Sequence, residues 1–202
     1  MPPCVIIIII MITYNMFTDD VKKDARKATA FDDMSGRNIV LIGMPGAGKS
    51  TIGVLLAKAL KMPFTDTDLL IQQQENSYLQ EIIDRSGIDE FLKIEEKVIM
   101  GLNVKKHVIA TGGSVIYSDT AIRHLKACGV LVFLNTKLYQ LERRLKNSAT
   151  RGIAMKDGQT LAMLYDERMP LYKKYADLEI DCSKKHIESI VSEIKSHFLP
   201  VN

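Results

Sequence analysis

Ile39-Val40-Leu41-Ile42-Gly43-Met44-Pro45-Gly46-Ala47-Gly48-Lys49-Ser50-Thr51 decides how this chain folds. Its four leading apolar residues read as a strand buried on both faces. Gly43 to Ser50 then satisfies G-x-x-x-x-G-K-[ST] at every fixed position. The segment Thr51 to Leu60 follows with apolar residues at helical spacing. Strand, glycine-rich loop and helix stand in the order a phosphate-binding loop requires. Such glycines let backbone N–H groups wrap a β-phosphate in front of the positive end of the helix. Lys49 is spaced to reach the β- and γ-phosphates, and Ser50 to offer a hydroxyl to Mg²⁺. The motif therefore predicts a nucleotide site made by Gly43, Pro45, Gly46, Ala47, Gly48, Lys49, Ser50 and Thr51. A chance glycine-rich turn would lack the flanking strand and helix.

Outward from this loop, short apolar runs alternate with helical segments, the pattern of an α/β protein with a parallel sheet. Strands are expected over 38–42, 63–66, 107–110, 129–134 and 178–181. Helices are expected over 49–61, 77–104, 119–127, 137–146, 159–176 and 187–198. Pro63 cannot continue the first helix, and Gly129 is placed to stop the helix that precedes Val130-Leu131-Val132-Phe133-Leu134.

A chain of 202 residues suits one domain, read here as 36–202. Residues 1–35 read as an extension that is disordered or arises from an upstream start, with Met34 or Met16 as the true first residue. Val5 to Ile12 is wholly apolar yet too short to span a bilayer, and it lacks the flanks of a secretory signal. A targeting or membrane-associating head is the competing reading. A net charge of +3 gives no electrostatic pointer to nucleic acid. Cys4, Cys128 and Cys182 are widely spaced without a C-x-x-C pair, which argues against zinc and a disulfide framework and fits a reducing cytoplasm. Expected partners are ATP and a small acceptor, with neither nucleic acid nor membrane, and the chain is expected to be a monomer.

Ligands of open α/β sheets sit at the carboxyl ends of the strands. The second strand ends in Asp66-Thr67-Asp68. One carboxylate can hold Mg²⁺ through water while the other takes a proton from a substrate hydroxyl; D-x-D also serves as a helix cap. The third strand ends in Thr111-Gly112-Gly113-Ser114, where small residues let a ligand approach the backbone. Leu141 to Gly152 is basic and reads as a helix leading into a mobile lid, whose arginines could neutralise phosphoryl charge. Arg168 lies on a later helix that can face the pocket. Leu134-Asn135-Thr136-Lys137 lacks the acidic residue of N-K-x-D, which speaks against a GTPase.

Taken together these residues resemble the shikimate kinase family, small P-loop kinases that phosphorylate a hydroxyl of a carboxylated ring with ATP. The resemblance spans about residues 38–182. It rests on Gly43 to Thr51, Asp66-Thr67-Asp68, Phe91 with Glu95, Ala110-Thr111-Gly112-Gly113, Arg144 with Arg151, and Arg168 before Leu171-Tyr172. It implies a three-layer α/β/α P-loop NTPase fold: a five-stranded parallel sheet in order 2-3-1-4-5, a hinged helical region near 67–95, and a lid. It also implies that Asp66 helps hold Mg²⁺ with Ser50, and that Asp68, Gly112, Gly113 and Arg168 bind the acceptor, Arg168 by its carboxylate. Arg144 would lie against adenine, Arg151 would meet phosphate and substrate, and residues 183–186 would flank the base. Lys49, Asp68 and Arg151 are the expected catalytic residues. Shikimate is the first expected acceptor; another polyol, sugar acid or hydroxy amino acid is the alternative, as is a nucleotide-binding protein without catalysis.

Three departures fall on the acceptor side. The family pattern F-R-x-x-E reads Phe91-Leu92-Lys93-Ile94-Glu95, so leucine stands where the family has a substrate-binding arginine. A charge-assisted hydrogen bond of that kind contributes about 1.5–3 kcal/mol. Lys93 is turned about 100° away on a helix. A triple glycine has become Gly112-Gly113-Ser114, and R-P-L-L has become Arg151-Gly152-Ile153-Ala154, a change expected to loosen the lid.

Overall fold

The structure, a computed structural model, describes residues 36–146, 152–156 and 158–199. Residues 1–35, and with them the expected extension, lie outside the described residues, as does Arg151. Arg37–His197 forms one compact unit, which carries every element and site residue described below.

Its centre is β1 (Asn38–Ile42), whose five residues are all buried, as a strand flanked on both sides requires. Around it lie β2 (Phe64–Asp66), β3 (Val108–Ala110), β4 (Gly129–Asn135) and β5 (Leu178–Asp181), in the order β2-β3-β1-β4-β5 with every pairing parallel. The fold class and the strand order are as the resemblance implies. Asn38 locks the register at the start of β1: its Nδ2 donates to the Val104 carbonyl, and its Oδ1 accepts from the His107 N–H. The backbone between the expected helix end and β3 is thereby tied to the central strand. His107 is structural, its Nδ1 lying 2.8 Å from the Thr65 hydroxyl.

Helices fill the connections: α1 (Lys49–Leu60), α2 (Thr67–Glu75), α3 (Leu79–Met100), α4 (Asp119–Cys128), α5 (Leu138–Leu145), α6 (Leu161–Tyr175) and α7 (Ile187–Ser196). Two readings are corrected. First, the expected helix over 77–104 is preceded by α2, and α3 is itself broken at Gly87, whose φ of 79° and ψ of 168° no helix contains. Sequence misses α2 because Leu69, Leu70 and Ile71 are contiguous and the rest of the segment is polar, so no 3.6-residue period stands out. Second, Gly129 ends α4 and opens β4 as expected, but in extended backbone at φ −154° and not as a left-handed cap. A Cβ there would come within 2.9 Å of the Asn38 carbonyl oxygen and of Val40 Cγ2, so the glycine serves strand-to-strand approach. The end of α1 is as expected except in its cap: Lys61 takes the left-handed conformation at φ 54°, one residue before Met62-Pro63.

Candidate active site

The phosphate loop runs from the end of β1 into α1. Gly46 and Gly48 have φ of 78° and 98°, conformations that a side chain makes costly. Gly48 ends the loop by giving its carbonyl to the Ile52 N–H at 2.8 Å, which starts α1 with its first N–H groups facing the loop. Lys49 is buried and curls over the loop, donating to the carbonyls of Gly43 at 2.7 Å and Met44 at 3.0 Å. Burial pulls its pKa down to about 8, with nearby Asp68 opposing the shift. At neutral pH the ammonium is retained.

Across from Lys49, Asp66 and Asp68 take different jobs. Asp66 caps α2: its Oδ1 accepts the Asp68 N–H at 3.0 Å. The cap reading of D-x-D is therefore correct for Asp66, which also lines the cavity. Asp68 is free of the cap and projects toward Lys49. Burial raises its carboxyl to about 6, assisted by Asp66 and opposed by Lys49.

Gly112 and Gly113 form the floor between the carboxylates and Arg168. The Gly112 N–H donates to Thr67 Oγ1 at 3.2 Å. A Cβ on Gly112 would meet Glu95 Oε1 at 2.0 Å and Asp68 Oδ1 at 2.9 Å, so only glycine lets both acids sit against it. A Cβ on Gly113 would meet Pro45 Cδ at 2.9 Å and Arg168 Nη1 at 3.1 Å. Arg168 is 1% exposed, and its other nitrogens are spoken for. Nη2 donates to the Ala154 carbonyl at 2.7 Å and Nε to the Tyr117 hydroxyl at 3.1 Å, with the guanidinium 5.0 Å from the Tyr117 ring centre. Tyr117 in turn donates to Glu167, and Tyr172 donates to the Gly113 carbonyl while stacking on Phe133. The guanidinium is thus fixed with Nη1 over Gly113, at the cavity that Arg168 lines.

One cavity of about 430 Å³ collects Pro45, Gly46, Gly48, Lys49, Ser50, Thr51, Asp66, Asp68, Gly112, Gly113 and Arg168, all of them expected. Gly43 and Ala47 shape the loop without lining that space. Arg144 is an exposed residue that donates to the carbonyls of Gly46 at 3.0 Å and Ala47 at 3.3 Å, on the outer side of the loop. Sequence reasoning offers Glu95 only as a motif match; it is buried at 2% exposure. The signal that could have singled it out is Leu92, which stands where the family motif around this acid has a cation.

The lid departure also permits a close contact. A Cβ on Gly152 would lie 2.4 Å from Leu79 Cβ and 2.6 Å from the Gln80 nitrogen, so this glycine lets the segment touch the start of α3. Ala154 behind it is buried in the cluster of Ile71, Ile82, Phe91 and Val98. Gly152→Pro is expected to push the segment off α3 and raise the acceptor KM about tenfold, roughly the 1.4 kcal/mol of one overpacked contact. Steady-state kinetics on the variant checks this, and a KM within twofold of the parent would show that the contact is unimportant.

A family model described as shikimate kinase matches residues 45–198. A shikimate kinase of Caldanaerobacter subterraneus subsp. tengcongensis is 35% identical over 161 residues, which cover 78% of this chain and 94% of that protein. One from Legionella pneumophila (strain Corby) is 36% identical, covering 78% and 92%. Among solved structures, the shikimate kinase of Acinetobacter baumannii in complex with shikimate aligns with a TM-score of 0.74 at 30% identity, over 79% of this chain and 90% of that one. The shikimate kinase of Aquifex aeolicus aligns at 0.68 and 32% identity, over 79% and 95%.

Proposed function

The chain belongs to the shikimate kinase family, and from that premise we propose that it transfers the γ-phosphoryl group of ATP to a hydroxyl of shikimate. The observation that carries this reading is the convergence of Lys49, Asp68 and the free edge of Arg168 on one cavity at the carboxyl ends of β1, β2 and β3. Arg168 holds the acceptor carboxylate, which sets a hydroxyl toward Asp68. Asp68 takes the hydroxyl proton as the oxygen attacks the γ-phosphorus. The new O–P bond forms as the bond to the β-phosphate bridging oxygen breaks, leaving ADP. Lys49 moves from the loop carbonyls to the phosphates and offsets the charge that builds there.

Arg151, outside the described residues, is assigned to the lid with a role against phosphate and acceptor. Arg144, on the outer side of the loop, is assigned to adenine. Mg²⁺ fits the donor set: Ser50 and Asp66 supply hard oxygens on the same cavity wall. Among the described residues there is no group of three or more acids, histidines or cysteines able to cage a metal. That suits an ion that takes its remaining ligands from phosphate and water. When bound, it would neutralise charge between the β- and γ-oxygens.

No helix among the described residues is long and apolar enough to cross a membrane. Cys128 and Cys182 are free thiols, which fits work in the reducing cytoplasm, and the chain is assigned there as a monomer. The same chemistry on another hydroxylated acid is the second reading, favoured by Leu92.

A coupled ADP-release assay with shikimate and a panel of polyols, sugar acids and hydroxy amino acids tests the assignment. Shikimate is expected to have the highest kcat/KM. A higher value for another acid would move the assignment to that acceptor, and ATP binding without transfer to any acceptor would refute catalysis.

A further inference from the structure

Glu95 has no assigned task, and its surroundings are unusual for an acid. It lies on α3, and its Oε1 has no hydrogen-bond partner although the atom is buried. A buried charged oxygen without a partner is costly. The oxygen rests against Gly112, in the same space beside its Cα that Asp68 Oδ1 approaches. The groups facing it come from several elements: Asp68 on α2, Lys49 on α1, Arg168 on α6, and the Ser114 hydroxyl after β3. None of the cations is its hydrogen-bond partner: Lys49 is held by the loop carbonyls, and Arg168 by Ala154 and Tyr117. Lys93, the adjacent cation, points outward and pairs with Glu90 at 3.0 Å.

Beside Glu95 lies a second cavity, of about 120 Å³, lined by Leu92, Lys93, Glu95, Glu96, Ser114, Tyr117 and Ser118. Ser114 lines both cavities, and Gly112, which Glu95 touches, lines the acceptor cavity, so the acid lies directly behind the acceptor cavity wall. Leu92 and Glu95 line the same space, so an arginine at 92 would bring a cation within reach of the acid as well as of an acceptor. Leucine leaves the space and leaves the acid unpaired.

We propose that Glu95, deprived of a cation by Leu92, decides whether the pocket accepts an anionic acceptor: neutral Glu95 admits a carboxylate, and ionised Glu95 repels it. This rests on the proposed function, in which the acceptor carries a carboxylate. Two negative charges a few ångströms apart in a water-poor pocket exclude one another strongly. Burial lifts the Glu95 carboxyl to about 7, with the Ser114 hydroxyl pulling it down and Asp68 pushing it up, so the change of state falls within the working pH range.

The test is the acceptor KM for shikimate at saturating ATP from pH 6 to 8.5, in the parent, Glu95→Gln and Leu92→Arg. In the parent, KM is expected to rise about tenfold per unit above pH 7, the slope of one obligatory proton. Glu95→Gln is expected to stay flat at the low value. Leu92→Arg is expected to flatten the profile too, because the new guanidinium offsets the acid. A flat parental profile, or a rise that persists in Glu95→Gln, overturns the proposal.

Melting curves supply an arm that needs no acceptor. A carboxyl raised by folding favours the folded state below the unfolded value near 4.5, and that advantage is lost as pH rises toward 7. The melting temperature of the parent is expected to fall relative to Glu95→Gln by about 3 °C per unit between pH 5 and 7. A constant difference means that Glu95 does not titrate there, and overturns the proposal even if shikimate proves a poor acceptor. No shikimate turnover at any pH in all three proteins would instead count against the acceptor assignment. The panel's best anionic acceptor then replaces shikimate in the same profile.

Discussion

Asp68→Asn is expected to lower kcat by about 10²–10⁴-fold while the KM for ATP stays within about threefold, the range of loss when a general base is removed. Asparagine keeps the shape and the hydrogen-bonding oxygen, so only the capacity to take a proton is lost. The fold should tolerate the change. The bond that caps α2 uses the backbone N–H of residue 68 and the side chain of Asp66, and neither is altered. Burial already disfavours the Asp68 charge, as its raised carboxyl shows, so an amide removes an unfavourable charge from the interior. Steady-state kinetics with saturating ATP and shikimate, alongside a melting curve, checks both halves. A kcat within threefold of the parent would assign Asp68 to orientation alone, with the proton leaving by another route.

The second large effect is expected from Lys49→Met, which keeps the aliphatic stem and removes the ammonium. Loss of one preorganised charge at the transferring phosphoryl costs about 10²–10³ in kcat. ATP affinity should weaken too, because the cation meets the phosphates before and during transfer. Stability is expected to move little. The variant gives up bonds to two loop carbonyls but also gives up a buried charge whose pKa burial has lowered. A melting temperature within about 4 °C of the parent, roughly 1 kcal/mol, is the expected balance. Titration of the variant with an ATP analogue separates binding from transfer. Unchanged kcat would mean that Lys49 only supports the loop.

The phosphate loop is legible in sequence because its requirements are local. Positive φ at Gly46 and Gly48 and a strand-to-helix turn leave a fixed imprint on a short stretch. The five strands are legible from apolar runs between polar breaks, each end within one residue of its observed place. What sequence misses depends on contacts between distant segments. Gly129 faces Asn38 and Val40 across the sheet, and Gly152 faces Leu79 and Gln80, contacts that no local rule anticipates. Asp68 and Arg168 can be nominated from strand-end position and helix face. That Arg168 is buried, and held by Tyr117 and the Ala154 carbonyl, cannot be read from spacing. Glu95 is the plainest case: a motif match in sequence and, in the fold, a buried acid with one oxygen left without a partner.

The strand order has a consequence for how such an enzyme can change. The loop after β1 occupies the middle of the sheet. Of the residues proposed to face the acceptor, Asp68, Gly112 and Gly113 follow β2 and β3 on one side of it; Arg168 comes from α6, after β4, on the other side with Arg144 and the 183–186 turn. Arg168 apart, choosing what receives the phosphate and holding what delivers it are, on the proposed roles, separable inheritances within one small domain. A substitution such as leucine at 92 can redirect the first while Lys49 and its loop continue the second undisturbed.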